Sequence, residues 1–77
     1  MITGLVLVKL KAGKEDSALA EIRQVEGVAH MSAVFGRWDL VLDMESEDLQ
    51  SLSSVVVHQI RTIDGVEATE TLITTAM

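Results

Sequence analysis

Residues 34–43, VFGRWDLVLD, hold the chain's only Phe and only Trp beside an Arg and two Asp, between runs of aliphatic residues. Several kinds of chemistry could start from such side chains. Asp39 and Asp43 share one strand face, but four residues at ~3.3 Å each put them about 13 Å apart. Two carboxylates that flank a scissile bond stand only ~5–9.5 Å apart, so a shared acid/base role within one chain is not expected. The two histidines, His30 and His58, have no cysteine near them and no His-x-x-x-His or Glu-x-x-His spacing, which speaks against a metal site. Ser51, Ser53 and Ser54 fall inside a predicted helix with His58 one turn beyond Ser54. A nucleophilic serine needs an exposed turn, a base within reach and oxyanion donors, and no loop here supplies the last. Serines that face solvent or bond back to the preceding turn are the simpler reading. Met31 and Met44 read as core filler and suggest no cofactor box. The expectation is therefore no catalytic residue, no metal and no cofactor.

The turn Gly36-Arg37-Trp38-Asp39 supports two readings. In one it is a hairpin tip: Gly36 permits positive φ, Trp38 caps the core, and the charges keep the tip soluble. In the other, Gly36 lets a ligand approach the backbone. The N–H groups of the turn then receive an anionic group and Asp39 accepts a cationic one. Those are the contacts that a zwitterionic α-amino acid requires.

The elements that must position this turn follow from side-chain periodicity. Residues 2–10, ITGLVLVKL, are aliphatic at both parities and predict a strand covered on both faces. Ala18, Leu19, Ile22 and Val25 recur at helical spacing, which predicts a helix from about Lys14 to Val25, with Glu15 and Asp16 in its first turn and Gly27 as a left-handed cap. VAHMSAVFG and WDLVLDMES read as two strands joined tightly around Gly36 and Arg37 and therefore antiparallel. Alternation puts Trp38, Leu40, Leu42 and Met44 on one face and Asp39, Val41 and Asp43 on the other. Ser46 is the expected N-cap of a second helix, with Leu49, Leu52, Val56, Ile60 and Ile63 as its buried stripe and Gly65 as its stop. The last strand is VEATETLITTA, whose Thr69, Thr71, Ile73 and Thr75 share a face, and whose threonines otherwise express strand propensity.

The order strand, helix, strand, strand, helix, strand contains an internal echo. Val25-Glu26-Gly27-Val28 corresponds to Ile63-Asp64-Gly65-Val66, each leading from a helix into a strand. Two such halves predict an α+β, ferredoxin-like βαββαβ domain: a four-stranded antiparallel sheet with two helices on one face. The other sheet face, carrying Leu, Val and Thr, would be a hazard in a monomer, and packing two sheets face to face predicts a two-fold dimer.

Composition agrees. A chain of 77 residues has room for one domain and buries only ~60% of its unfolded surface. It is 48% hydrophobic with no cysteine, so self-association is the reinforcement left to it. Six basic against twelve acidic residues give a formal charge of −6, the opposite of a nucleic-acid-binding module. No apolar run approaches the ~20 residues of a membrane span, and no signal segment is apparent. The expected location is the cytoplasm.

With these residues in view, the sequence resembles the ligand-binding domain of the Lrp/AsnC transcription regulators, also called the RAM domain. The element order, the Gly-x-x-Asp turn of Gly36 and Asp39 running into an aliphatic strand, and the closing Gly65-Val66-x-x-Thr69-x-Thr71 carry the likeness over essentially the whole chain. The resemblance implies a βαββαβ domain that dimerises through its sheets, with dimers assembling into rings such as octamers. It implies that an amino acid effector binds between dimers near the Gly-x-x-Asp turn. Carried over by position, Gly36, Arg37, Trp38 and Asp39 form the ligand turn, with Thr69 and Thr71 as further candidates. Full-length relatives carry an N-terminal helix-turn-helix domain, whereas Met1 runs straight into the first strand here. A stand-alone form is therefore expected, without direct DNA binding and without membrane contact. It would modulate transcription indirectly through a full-length Lrp/AsnC paralogue.

The alternative from a different class is a small dimeric α+β-barrel enzyme, monooxygenase- or isomerase-like, on the same strand order. It requires a polar cavity between sheet and helices, for which His30 is the one evident candidate. A third reading is a purely structural partner in mixed oligomers.

Overall fold

The computed structural model describes residues 1–73. Strands β1 (Ile2–Leu10), β2 (Val28–Ala33), β3 (Leu40–Ser46) and β4 (Val66–Ile73) alternate with helices α1 (Glu15–Arg23) and α2 (Leu49–Val55). The last turn of α2 widens into a π-helical segment, Val56–Ile60. The sheet has the order β2-β3-β1-β4, and each neighbouring pair is antiparallel. This is the ferredoxin-like arrangement expected from the sequence.

Register explains which side chains are buried. Val6 pairs with Leu42 and Thr71, Val8 with Leu40 and Thr69, and Gly4 with Met44 and Ile73, so these residues share the face that the helices cover. Val6, Val8, Leu40, Leu42 and Met44 are buried there against Ile22 of α1 and Leu52, Val56 and Ile60 of the second helix. The opposite face carries Leu5, Leu7 and Lys9 of β1, with Val41, Asp43, Glu70 and Leu72 as their cross-strand partners or neighbours. Leu5 and Leu72 are exposed on it. β1 is thus apolar on both sides, as its composition predicts, while only one side is covered within the chain.

The internal echo becomes a repeated joint. Gly27 and Gly65 both have positive φ, +102° and +108°. The Gly27 carbonyl accepts the Glu45 N–H at 2.9 Å, and the Gly65 carbonyl accepts the Lys11 N–H at 2.7 Å. Just past each glycine the strand register shifts, between Val28 and His30 in one half and opposite Lys9 and Leu10 in the other. At Gly65 a side chain has no room: a Cβ would lie 3.0 Å from the Ala18 Cβ and 3.1 Å from the Lys14 carbonyl oxygen. Gly27 is therefore not the immediate cap of α1, which ends at Arg23; it sets the entry into β2.

Three further expectations are corrected. The second helix is capped by Asp48, whose carboxylate accepts the Ser51 N–H at 2.7 Å, because β3 continues through Ser46 and keeps that residue in the sheet. Leu49 does not join the buried stripe; it is 54% exposed in the first turn of α2, before the helix meets the sheet with Leu52. The connection between β2 and β3 is longer than a tight turn, since β2 stops at Ala33 and β3 begins only at Leu40. Thr75 lies outside the described residues.

Packing and cap each lead to a measurable difference. Leu42→Ala should lower the unfolding free energy by about 2–5 kcal/mol, whereas Leu49→Ala should stay within about 0.5 kcal/mol of wild type, both read by urea denaturation. The hydrogen bond from Ser51 holds the Asp48 carboxyl below the usual carboxylate range. A depressed folded-state pKa stabilises at neutral pH and loses that contribution as pH falls through it. Asp48→Ala should accordingly reduce stability at pH 7 and converge with wild type in strong acid, as followed by denaturation across a pH series.

Candidate functional site

The β2–β3 connection is closed by the Val34 N–H, which donates to the Asp39 carbonyl at 3.0 Å. Between them, Phe35, Gly36, Arg37 and Trp38 form an open loop at the end of the sheet. Gly36 has φ +131°, and a Cβ built on it would meet nothing within 4 Å. The position thus selects glycine for backbone conformation rather than for space. Phe35 is fully exposed at 106%, Arg37 is exposed, and Trp38 and Asp39 are half-buried. Because β3 starts at Leu40, the alternation that would set Trp38 beside Leu40 does not extend to it.

Asp39 is the most connected residue of the loop. Its N–H donates to the Val8 carbonyl at 2.9 Å, and its own carbonyl accepts from Val34. Its carboxylate Oδ2 accepts the Leu10 N–H at 2.8 Å. The residues it bonds therefore come from β1 and from Val34, just past the end of β2. In contrast, the N–H groups of Phe35, Gly36, Arg37 and Trp38 donate to no group of the described residues. Successive N–H groups without an internal acceptor, in a segment that includes an exposed Arg, are the kind of main chain that can receive an anion.

The structure brings Gly36, Arg37, Trp38 and Asp39 together but leaves Thr69 and Thr71 apart from them. Both threonines lie on edge strand β4, paired with Val8 and Val6, on the helix-covered face. Two strand spacings, about 10 Å, separate β4 from β3. Within one subunit they do not complete the turn.

The remaining candidates are dispersed. His30 sits on the open sheet face opposite Asp43, and His58 is exposed on the π-helical segment. Ser51, Ser53 and Ser54 are exposed. No three His, Cys, Asp or Glu side chains gather as a metal-binding group among the described residues. The barrel-enzyme reading needs polar groups between sheet and helices. The buried described residues there are all apolar and His30 faces the other way, so the structure does not favour it. Sequence reasoning did not foresee the Leu10–Asp39 hydrogen bond, since the partners stand 29 residues apart with no pattern linking them. It also did not foresee an open groove of about 480 Å³ between the outer faces of α1 and the second helix, flanked by Glu21, Gln24, His58 and Thr62.

No helix of the described residues is long and apolar enough to cross a membrane. Comparison with known proteins identifies relatives of this chain. Regulatory protein AsnC of Escherichia coli K12 is 31% identical over 65 residues, covering 83% of this chain and 43% of AsnC. The crystal structure of TTHA0845 from Thermus thermophilus matches with a TM-score of 0.91 at 32% identity, covering 100% of this chain and 96% of that one. Transcriptional regulator NMB0573 from Neisseria meningitidis, solved as a complex with L-Met, shares the fold with a TM-score of 0.89 at 18% identity, covering 97% of this chain and 50% of that one. The chain spans about half the length of the curated relatives it matches, 49% and 43% of the first two. The family model for the Lrp/AsnC ligand binding domain matches residues 3–76, and the chain belongs to that family.

Proposed function

We propose that this chain is an effector-binding and oligomerisation module that takes up an amino acid at the Gly36–Asp39 turn and acts on transcription indirectly. The observation that carries this reading is the turn itself: four consecutive N–H groups without an acceptor among the described residues, beside Arg37, on a loop tied to the sheet at both ends. A ligand carboxylate is the complementary group. Trp38 supplies an apolar surface beside it. Thr69 and Thr71 enter such a site only if a second subunit brings them or its own side chains to the turn, which fits binding between dimers.

The open sheet face is the surface for the first level of assembly. Its centre is Leu5, Leu7, Val41 and Leu72, with Lys9, Asp43 and Glu70 around them. A stable interface takes about 800 Å² per partner, roughly a sixth of the 5163 Å² surface of the described chain. Dimers joined in this way would assemble further into a ring, an octamer in the simplest case, in the cytoplasm. The formal charge of −6 disfavours DNA contact by these residues, so regulation would pass through a full-length Lrp/AsnC paralogue.

Thermal denaturation with each of the standard amino acids, methionine first, tests the ligand. A binder at 100 times its Kd adds about 2.7 kcal/mol, which raises Tm of a domain this small by about 10–20 °C. No shift with any of them in an assembled sample would sink the reading. For the assembly, Leu7→Arg should reduce the particle mass measured by light scattering while far-UV circular dichroism stays unchanged.

A further inference from the structure

We infer that Asp39 is a positioning residue of the turn: its carboxylate replaces a backbone carbonyl on the β1 ladder and thereby frees the loop main chain to present its N–H groups. Within a strand, residues two apart direct their main-chain groups to the same edge. The Val8 carbonyl takes the Asp39 N–H, so the next β1 donor on that edge is the Leu10 N–H. Had β3 continued along β1, one of its main-chain carbonyls would satisfy that donor. Instead Asp39 Oδ2 accepts it at 2.8 Å, at the point where the β1–β4 register shifts between Lys9 and Leu10.

The exchange of a side-chain for a main-chain acceptor ends β3 without leaving a half-buried N–H unpaired. Among the described residues, the backbone from Phe35 to Trp38 is then hydrogen-bonded only at its two ends, through Val34 and Asp39. The charge of Asp39 is already engaged by a main-chain dipole, so what its position requires is an acceptor oxygen rather than a full negative charge. Asparagine has that oxygen and lacks the charge. The inference rests on the reading of the turn as the ligand site, and it specifies which residue shapes that site rather than contacts the ligand's cationic group.

The test compares Asp39→Ala and Asp39→Asn in the full 77-residue chain, by ¹⁵N relaxation and amide exchange without ligand and by thermal shift with each standard amino acid. In Asp39→Ala, order parameters of the Phe35–Trp38 amides should fall from about 0.85 towards 0.6 or below. Leu10 amide exchange should accelerate by about tenfold or more. Asp39→Asn should restore both, and its amino acid affinity should stay within about threefold of wild type. Unchanged loop order and Leu10 exchange in Asp39→Ala would overturn the inference. So would an Asp39→Asn variant that keeps the Leu10 bond yet loses affinity by about tenfold, since the carboxylate would then be serving as a charge partner. If no amino acid shifts any of the proteins, the ligand reading fails while the relaxation data still decide the role of Asp39.

Discussion

The structure depends on one face of one sheet being dry. Val6, Val8, Leu40, Leu42 and Met44 alternate inwards from two central strands, and the second helix meets them with Leu52, Val56 and Ile60. Each buried aliphatic side chain is worth about 1.5–3 kcal/mol relative to exposure. A chain this small has few such groups, so almost every inward position of β1 and β3 is committed to them. Chemistry is thereby pushed to the rims and loops, where the polar and aromatic residues in fact lie.

Periodicity conveyed most of the architecture because the same constraint writes it into the sequence. The two strands at the centre of the sheet, both helices and the echo at Gly27 and Gly65 are all recoverable from spacing. What periodicity cannot convey is where a pattern stops. Trp38 has the right parity to continue β3, yet the strand begins at Leu40. Ser46 and Asp48 are both competent caps, and the sheet decides between them by retaining Ser46. Leu49 has the right spacing for the buried stripe but lies one turn too early to reach the sheet.

The candidate site was legible in part for a similar reason. Gly36 and Asp39 announce a turn through local chemistry, and the structure has a positive φ at the first and dense hydrogen bonding at the second. The partner of Asp39 was not legible, because it is a backbone N–H, which every residue but proline carries and which leaves no trace in side-chain type. Thr69 and Thr71 entered only through the family resemblance, by the closing pattern Gly65-Val66-x-x-Thr69-x-Thr71. Their distance from the turn reflects strand order β2-β3-β1-β4, which places the last strand beyond the first.

That strand order also has a kinetic consequence. β2 and β3 are neighbours in sequence and can pair early, but β1 completes its ladders only when Gly4 meets Ile73 near the other end of the chain. Pairings of such long sequence separation slow folding, because loop entropy is spent before the contact is gained. Until β4 arrives, one edge of the most apolar strand in the molecule is open to any strand of matching register. The interval between synthesis of β1 and docking of β4 is therefore when this chain is most exposed to mispairing with its own copies.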